Sequence, residues 1–266
     1  MGPRISRRSC GGFTLIELLV VVAIIAMLVS ILLPSLGTGM EIGRTSTCMT
    51  SMRTLGSAIY TYARENDRYL VPGEYFLSDQ DGETDTLETI LAGGDYVRAA
   101  WTDQRDSIPS GPTTFRCPSG VEEVIAITDL YNRNADPYAD SSCQAIGRRH
   151  LDGNEEAYVQ TWYGLNLRTT EPRPFPFLRW SANRDNNILY RLDAVHASDR
   201  LVAMYDGIWS HNYWKYGRIS GRHMNRRDTN VNFIDGSCRT FRRAQLPFTG
   251  SQLRESTDPA WLLTSQ

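Results

Sequence analysis

The hydrophobic pattern of the chain begins with one long apolar stretch near its N-terminus. Residues 13–33 form a run of 21 residues with only three polar side chains, which are Thr14, Glu17 and Ser30. A helix of this length measures about 31 Å at ~1.5 Å per residue, which is enough to cross the hydrocarbon core of a membrane. The pattern therefore predicts a transmembrane segment over residues 13–34.

A second pattern follows, with the period of an amphipathic helix. Pro34 should kink the chain, because proline lacks the amide hydrogen that a helix interior needs. Beyond it, apolar residues recur at spacings of four and three, which places them on one helical face; they are Cys48, Met52, Leu55, Ile59 and Tyr62. We therefore predict one helix from residue 13 to about residue 64, whose second half packs on a β-sheet.

The rest of the chain alternates short apolar runs with turn residues, which is typical of strands and loops. Residues 128–156 are polar and irregular, so they are expected to form a long loop. The predicted fold class is α+β, with the long helix on an antiparallel sheet and a soluble domain over residues 35–266. Strands are predicted at 113–119, 161–167, 200–205, 230–234 and 238–241, the last two as a hairpin around Asp235-Gly236.

An acidic stretch, residues 79–88, carries five carboxylates and no basic side chain. Alternate carboxylates in a loop suit calcium, although the glycine is not at the place that an EF-hand loop requires. The other interpretation is a solvated stretch in which Thr84 or Asp85 caps a short helix through Ala92. The sequence favours the solvated cap, since charge runs are usually solvated.

The charge distribution limits the function and the location. The formal net charge is −2, and no basic patch indicates a nucleic-acid partner. Residues 1–12 contain three arginines and no acidic side chain. Under the positive-inside rule this segment stays in the cytoplasm, which places the soluble domain outside the membrane, where disulfides are permitted.

The cysteines indicate cross-links rather than a metal or cofactor site. No Cys-x-x-Cys pair and no paired Cys/His spacing is present, which argues against structural zinc. Cys10 belongs to residues 1–12, and four cysteines remain beyond them. Cys48 begins the apolar face of the helix and Cys117 ends a predicted strand that could cross it, so we predict a Cys48–Cys117 disulfide. Cys143 and Cys238 are the remaining pair.

The residues Gly12-Phe13-Thr14-Leu15-Ile16-Glu17 resemble the processing site of type IV prepilins and type II secretion pseudopilins. The resemblance implies cleavage by prepilin peptidase after Gly12, N-methylation of the new N-terminal Phe13, a helix kink at Pro34 and a role for Glu17 in assembly. An ordinary secretory signal fits less well, because the apolar run is long and ends without a small-x-small cleavage pattern. A plain single-span anchor is the other alternative.

A second resemblance extends over the soluble domain. The short segments FRCPS, WYGLN, LVAMYDG and RHMNRRDTNVNFIDG resemble a family of large pilin-like proteins that are abundant in planctomycetes and related bacteria. Members of that family end in a histidine, nine residues and Asp-Gly. Here eleven residues separate His223 from Asp235-Gly236, a departure that weakens any expectation of contact between His223 and Asp235.

Four residues of the soluble domain are candidates for metal binding or acid–base chemistry: Asp206, His211, His223 and Asp235. If the two strands that end in Asp-Gly lie near one another, this set could bind a metal or act as acid and base. The alternative is a hairpin in which Asp235-Gly236 forms the turn and His223 bonds the backbone. No nucleophile motif or phosphate loop supports catalysis, so the sequence favours the hairpin.

The predicted function is that of a structural subunit of a type IV pilus or a type II secretion-like pseudopilus, and not an enzyme. The size of the chain favours a minor subunit. The expected partners are prepilin peptidase, other pilin or pseudopilin subunits, the inner-membrane assembly machinery and membrane lipid, with a cytoplasmic N-terminus and an extracytoplasmic domain. The alternative is a membrane-tethered binding or hydrolytic domain that uses the prepilin signal only as an anchor.

Overall fold

The computed structural model describes ten stretches of the chain, which are residues 13–76, 84–104, 107–122, 124–125, 143–151, 155–168, 176–181, 189–207, 219–247 and 257–261. The chain divides into two units, residues 1–40 and 41–266. One helix, α1 (Leu15–Glu65), contributes residues to both units. The prediction of a single long helix ending near residue 64 is therefore confirmed.

In the first unit, α1 runs through Pro34 without a break in its helical assignment. The hydroxyl of Thr38 donates to the carbonyl of Pro34 at 3.3 Å, within the helix itself. The chain is helical on both sides of Pro34. A kink at Pro34 stays a prediction.

In the second unit, α1 buries the face that the spacing of apolar residues predicts. Cys48, Met52 and Leu55 are fully buried and Ile59 nearly so, while Tyr62 packs at the edge of the core. Gly56, Ala58 and Ala63 are buried on the same helix. These small residues let the backbone of α1 approach the sheet closely.

In the part of the chain that the structure describes, twelve short strands and one further α-helix follow. The strands are β1 (Glu74–Phe76), β2 (Thr84–Thr86), β3 (Trp101–Thr102), β4 (Val124–Ile125), β5 (Cys143–Leu151), β6 (Glu155–Thr161), β7 (Tyr163–Leu165), β8 (Leu167–Arg168), β9 (Phe177–Ser181), β10 (Val202–Asp206), β11 (Asp228–Phe233) and β12 (Cys238–Arg242). The second helix is α2 (Leu87–Gly93), and 3₁₀ turns lie at Leu192–Ala194 and Arg243–Gln245.

The described strands form three four-stranded sheets. Their orders are β12-β11-β10-β7, β3-β6-β5-β4 and β2-β1-β9-β8. All pairs in the first sheet are antiparallel, whereas β1–β9, β4–β5 and β8–β9 are parallel. The α+β class is confirmed, and the predicted hairpin is the β11–β12 pair.

Three local predictions need correction. Residues 113–119 form turns rather than a strand, since Pro118 cannot donate to a ladder and the N–H of Gly120 closes a turn on the carbonyl of Cys117. The predicted loop over 128–156 contains β5 and the start of β6. The short helix is α2, but its N-cap is Thr86; the acidic residues 79–83, with the calcium alternative, lie outside the described residues.

Two hydrophobic clusters cover the antiparallel sheet. The larger one contains the buried face of α1, and the smaller one contains Val231 and Phe233 of β11 together with Trp261 near the C-terminus. Because side chains alternate along a strand, Asn232 points to the opposite side, toward Gly56 of α1. The sheet is thus enclosed on both faces, which allows polar side chains of β10 and β11 to be fully buried.

Candidate functional site

The N-terminal end of α1 is closed by reciprocal hydrogen bonds between Thr14 and Glu17. The backbone N–H and the hydroxyl of Thr14 both donate to Glu17 Oε2 at 2.8 Å, and the backbone N–H of Glu17 donates to Thr14 Oγ1 at 3.3 Å. This is a capping box, which satisfies amides that the first helical turn leaves unpaired. Phe13 is exposed, and Gly12 lies outside the described residues.

The apolar half of α1 exposes its large side chains on every side. All the valine, leucine, isoleucine, methionine and phenylalanine side chains of residues 13–40 are exposed. The helix is long and apolar enough to cross a membrane. Since each such side chain gains about 1.5–3 kcal/mol on leaving water, burial in lipid or against the apolar surface of a neighbouring helix would stabilise this segment.

A buried polar cluster lies under the second half of α1. Cys48 comes from α1, Cys117 from the turn region 113–120, Asp206 from the last position of β10, and His223 from the segment that leads into β11. One ligand atom from each residue lies within 4.8 Å of the other three. We call these four residues the Cys-Cys-Asp-His cluster.

Short contacts join the members of the cluster. Cys48 Sγ lies 3.0 Å from Cys117 Sγ and donates to Asp206 Oδ1 at 3.1 Å. His223 Nε2 lies 3.1 Å from Asp206 Oδ2 and 3.7 Å from Cys117 Sγ. Asp206, Cys48 and His223 have no exposed surface, and Cys117 is 1% exposed.

The electrostatics of the cluster follow from this burial. Burial alone would raise the pKa of Asp206, but the hydrogen bond from His223 holds it below its ordinary value. Burial alone would lower the pKa of His223, but the bond to Asp206 raises it to about 10. Burial raises the pKa of Cys48 well above its usual range. Both shifts favour a carboxylate on Asp206 beside an imidazolium on His223.

A second layer of groups orients the cluster. The backbone N–H of Asn230 donates to Asp206 Oδ2 at 2.7 Å, and Tyr163 Oη lies 3.4 Å from Cys48 Sγ. On the far side of the imidazole, His223 Nδ1 lies 3.4 Å from Glu41 Oε1. That carboxylate is itself held by the hydroxyl of Ser119 at 3.0 Å.

The structure separates the residues that the sequence grouped as one motif. Because β10 and β11 are antiparallel, their Asp-Gly ends lie at opposite ends of the pair. Asp206 therefore meets His223, whereas Asp235 is exposed and caps its own turn by accepting from the N–H of Ser237 at 2.8 Å. Gly236 has φ +83°, which the turn requires of a glycine. His211 lies outside the described residues.

The predicted disulfide is not formed in this structure. Cys48 and Cys117 are adjacent, as the prediction requires, but they are free thiols, and their separation of 3.0 Å exceeds the ~2.05 Å of a sulfur–sulfur bond. Cys238 is also a free thiol, with its Sγ 4.0 Å from Met52 Sδ. Because Cys238 is free, the predicted Cys143–Cys238 disulfide is not formed either. The side chain of Cys143 lies outside the described part of the chain.

Sequence reasoning missed Glu41 and Tyr163 as neighbours of the cluster. A signal for Glu41 existed, because it precedes Cys48 by seven residues and two helical turns bring such positions onto one face. Tyr163 lies in the segment WYGLN, which resembled the pilin-like family without indicating a role. Neither position lies near the two Asp-Gly pairs from which the candidate site was predicted.

The exposed apolar helix near the N-terminus suggests membrane anchoring, and the long helix with antiparallel β-sheets is a mixed α+β fold consistent with a pilin-like one. Residues 7–33 match the family model of the prokaryotic N-terminal methylation motif. No curated protein and no solved structure matches the chain. The matched motif supports a type IV pilin-like or pseudopilin-like role, and it spans the cleavage and methylation positions that the sequence predicts.

Proposed function

We propose that the chain is a minor subunit of a type IV pilus or a type II secretion-like pseudopilus. In this proposal prepilin peptidase cleaves the precursor between Gly12 and Phe13, and Phe13 is then N-methylated. The observation that carries the proposal is the methylation motif over residues 7–33, which continues into a helix with apolar side chains on all sides. A helix of this kind can be covered by lipid before assembly and by neighbouring helices after it.

Glu17 supplies the specific contact that an apolar helix otherwise lacks. Its position two residues into α1 puts a carboxylate four residues from the amine that cleavage creates at Phe13. A carboxylate in lipid costs a few kcal/mol unless it is neutralised or paired. The amine of a neighbouring subunit would provide the opposite charge, and the pair would form in one axial register.

The burial of the Cys-Cys-Asp-His cluster supports a structural rather than an enzymatic role. A hydrolytic site needs its acid, base or nucleophile within hydrogen-bond reach of a substrate. The four side chains have between 0% and 1% exposed surface, so a substrate has no approach to them. The cluster could bind a cation, or its two cysteines could be cross-linked by a disulfide. Either would hold the domain together.

The test is to follow the chain from membrane to fibre. Cells that express the full chain are sheared, and the released fibres and the membranes are blotted for this protein. Edman sequencing and mass spectrometry of the membrane-bound protein should find methylated Phe13 at the N-terminus. Gly12→Leu should block processing, because the new side chain fills the space that the peptidase leaves for glycine, while Gly2→Leu is the matched control that should be processed normally.

The outcomes separate the two candidate roles. Processed protein in the sheared fraction supports the subunit, and a smaller amount than that of the major pilin supports a minor one. An N-terminus at Met1 or near Ser35 would overturn the prepilin interpretation. Correct processing with no protein in any fibre would instead favour the membrane-tethered domain.

A further inference from the structure

The Cys-Cys-Asp-His cluster offers four ligand atoms of the kinds that zinc prefers. Two thiols, one imidazole and one carboxylate converge at one buried point, each from a different segment of the chain. Tetrahedral sites with sulfur and nitrogen ligands are characteristic of Zn²⁺ in proteins. Among the described residues this is the one such group of buried ligands.

The ligand atoms of the cluster all lie within 4.8 Å of one another, a spacing that one ion could bridge after adjustment. With bonds of about 2.3 Å to sulfur and about 2.0–2.2 Å to nitrogen or oxygen, neighbouring ligand atoms of zinc lie about 3.3–3.8 Å apart. The contacts here are 3.0 Å between the two sulfur atoms, 3.1 Å from Cys48 Sγ to Asp206 Oδ1 and 3.7 Å from Cys117 Sγ to His223 Nε2. To admit the ion, the two sulfur atoms would have to separate by about 0.8 Å, from 3.0 Å to the ~3.8 Å of two thiolates on one zinc.

The hydrogen bond from Cys48 to Asp206 favours a cation over a disulfide. Cystine is neutral, and oxidation would remove the S–H that Cys48 donates to Asp206 Oδ1. An oxygen of a fully buried carboxylate would then lose a donor, which is costly. A divalent cation would instead bind both thiolates and Asp206 directly, offsetting two of their three negative charges, and so it uses all three groups.

The outer layer has the arrangement that accompanies a metal-bound histidine. Such a histidine usually directs its second ring nitrogen to a carboxylate, a carbonyl or water. Here His223 Nε2 faces the cluster, and Nδ1 lies 3.4 Å from Glu41 Oε1, an ion-pair distance that a small shift would turn into a hydrogen bond. The N–H of Asn230 fixes Asp206 in a similar way, through Oδ2.

We propose that Cys48, Cys117, Asp206 and His223 bind one Zn²⁺ as a closed structural site. On binding, the thiols and the imidazolium release their protons to solvent, since zinc binds thiolate and neutral imidazole. The ion would link α1 to β10, to the turn region 113–120 and to the segment before β11. Four protein ligands leave no open position, so the site stabilises the domain. The inference does not depend on whether the chain enters a fibre.

The test uses the full chain in detergent, purified without chelator or reductant. Elemental analysis should find close to one zinc per chain. After zinc is stripped with a chelator, added Co²⁺ should give thiolate-to-cobalt charge-transfer absorption and the strong visible bands of a tetrahedral site. Zinc, but not Mg²⁺ or Ca²⁺, should restore the unfolding temperature that the chelator lowers.

Variants distinguish the ligands from neighbouring buried residues. Cys48→Ser, Cys117→Ser and Asp206→Asn should each weaken zinc binding by more than the ~10–100-fold typical of outer-layer changes. Cys238→Ser is the matched control, because Cys238 is buried on the same sheet but packs on Met52. It should keep the zinc content and the cobalt spectrum.

The wild-type protein alone can overturn the proposal, even if every ligand variant fails to fold. Non-reducing peptide mapping that joins the Cys48 and Cys117 peptides, in protein without zinc, would show that the cysteines form a disulfide instead. Stripped protein that binds no Co²⁺ would also refute the site. So would an Asp206→Asn protein with an unchanged cobalt spectrum, which would remove Asp206 from the ligand set.

Discussion

Gly56 of α1 lies so close to Asn232 of β11 that a side chain at position 56 would fit only if a neighbour moved by a few tenths of an ångström. A β-carbon there would lie 3.0 Å from Asn232 Oδ1 and 3.1 Å from Gly236 Cα. Asn232 cannot easily withdraw, because its Nδ2 donates to the carbonyls of Gly236 and Ser237 at 3.3 and 3.1 Å. The contact therefore sets the distance between the helix and the sheet.

We expect Gly56→Ala to destabilise the domain by about 1–3 kcal/mol, because extra volume in a packed interface forces the backbone apart. At an exposed position of a helix, replacing glycine by alanine is expected to stabilise instead. Gly43 has no atom within 4 Å of its would-be β-carbon, so Gly43→Ala should stabilise by about 0.5–1 kcal/mol. Chemical denaturation of the full chain in detergent, followed by tryptophan fluorescence, measures both; equal shifts would contradict the close contact.

Asn166 connects the C-terminal segment to the antiparallel sheet. Its Nδ2 donates to the carbonyl of Val202 at 2.9 Å and to that of Trp261 at 2.8 Å, and the side chain is buried. Asn166→Asp would place a carboxylate against two carbonyl oxygens. We expect a loss of more than about 3 kcal/mol in unfolding free energy at neutral pH.

The matched control for this prediction is Asn66, whose Nδ2 donates to the carbonyl of Tyr62 at 2.8 Å at an exposed helix end. Asn66→Asp should cost at most about 1 kcal/mol, which is the scale of a charge at the unfavourable end of the helix dipole. In the Asn166 variant, the emission of Trp261 should shift to longer wavelength as the segment detaches from Tyr205, its ring neighbour at 5.4 Å. A variant as stable as the control would show that Asn166 does not anchor the segment.

Cys238 should resist thiol reagents in the folded protein. Burial raises its pKa to about 12, and only the thiolate reacts. At pH 8 the thiolate fraction is then about 10⁻⁴, so iodoacetamide should label Cys238 far more slowly in folded than in denaturant-unfolded protein. The folded rate should rise about tenfold per pH unit up to pH 10. Rapid labelling at pH 8 would contradict the burial of this thiol.

The features that could be predicted from the sequence are those that depend on residues close together along the chain. The buried face of α1 and the β11–β12 hairpin depend on neighbours within a few residues, so the spacing of Cys48, Met52 and Leu55 and the Asp235-Gly236 turn were sufficient. The strand β5 was missed because its sequence is polar and its position depends on pairing with β6.

The cluster could be predicted only in part, because its members are far apart in sequence. Cys48 and Cys117 are separated by 69 positions and Cys117 and His223 by 106. A search for local ligand spacing cannot detect such a set. The cysteine pair followed from reasoning about the helix face, and His223 followed from the family resemblance. The candidate set contained both Asp206 and Asp235 beside His223, and the antiparallel pairing of β10 and β11 selects Asp206.

Glu17 has two separable roles, and variants can distinguish them. Its carboxylate caps α1 through the N–H and hydroxyl of Thr14, and in the proposed fibre its charge pairs with the amine of a neighbouring subunit. Glutamine can also serve in a capping box, but it carries no charge. Glu17→Gln should therefore preserve the helix end and remove only the ion pair, whereas Glu17→Ala removes both.

We expect both variants to be inserted in the membrane and cleaved after Gly12, because the apolar run and the leader are unchanged. Both should be missing from sheared fibres, since without the charge nothing fixes the axial register of one apolar helix against the next. Blotting of membrane and sheared fractions measures this, with Ser30→Ala as a control within the same segment. If Glu17→Gln enters fibres as the wild type does and Glu17→Ala does not, then helix capping, rather than charge pairing, is what assembly requires of this residue.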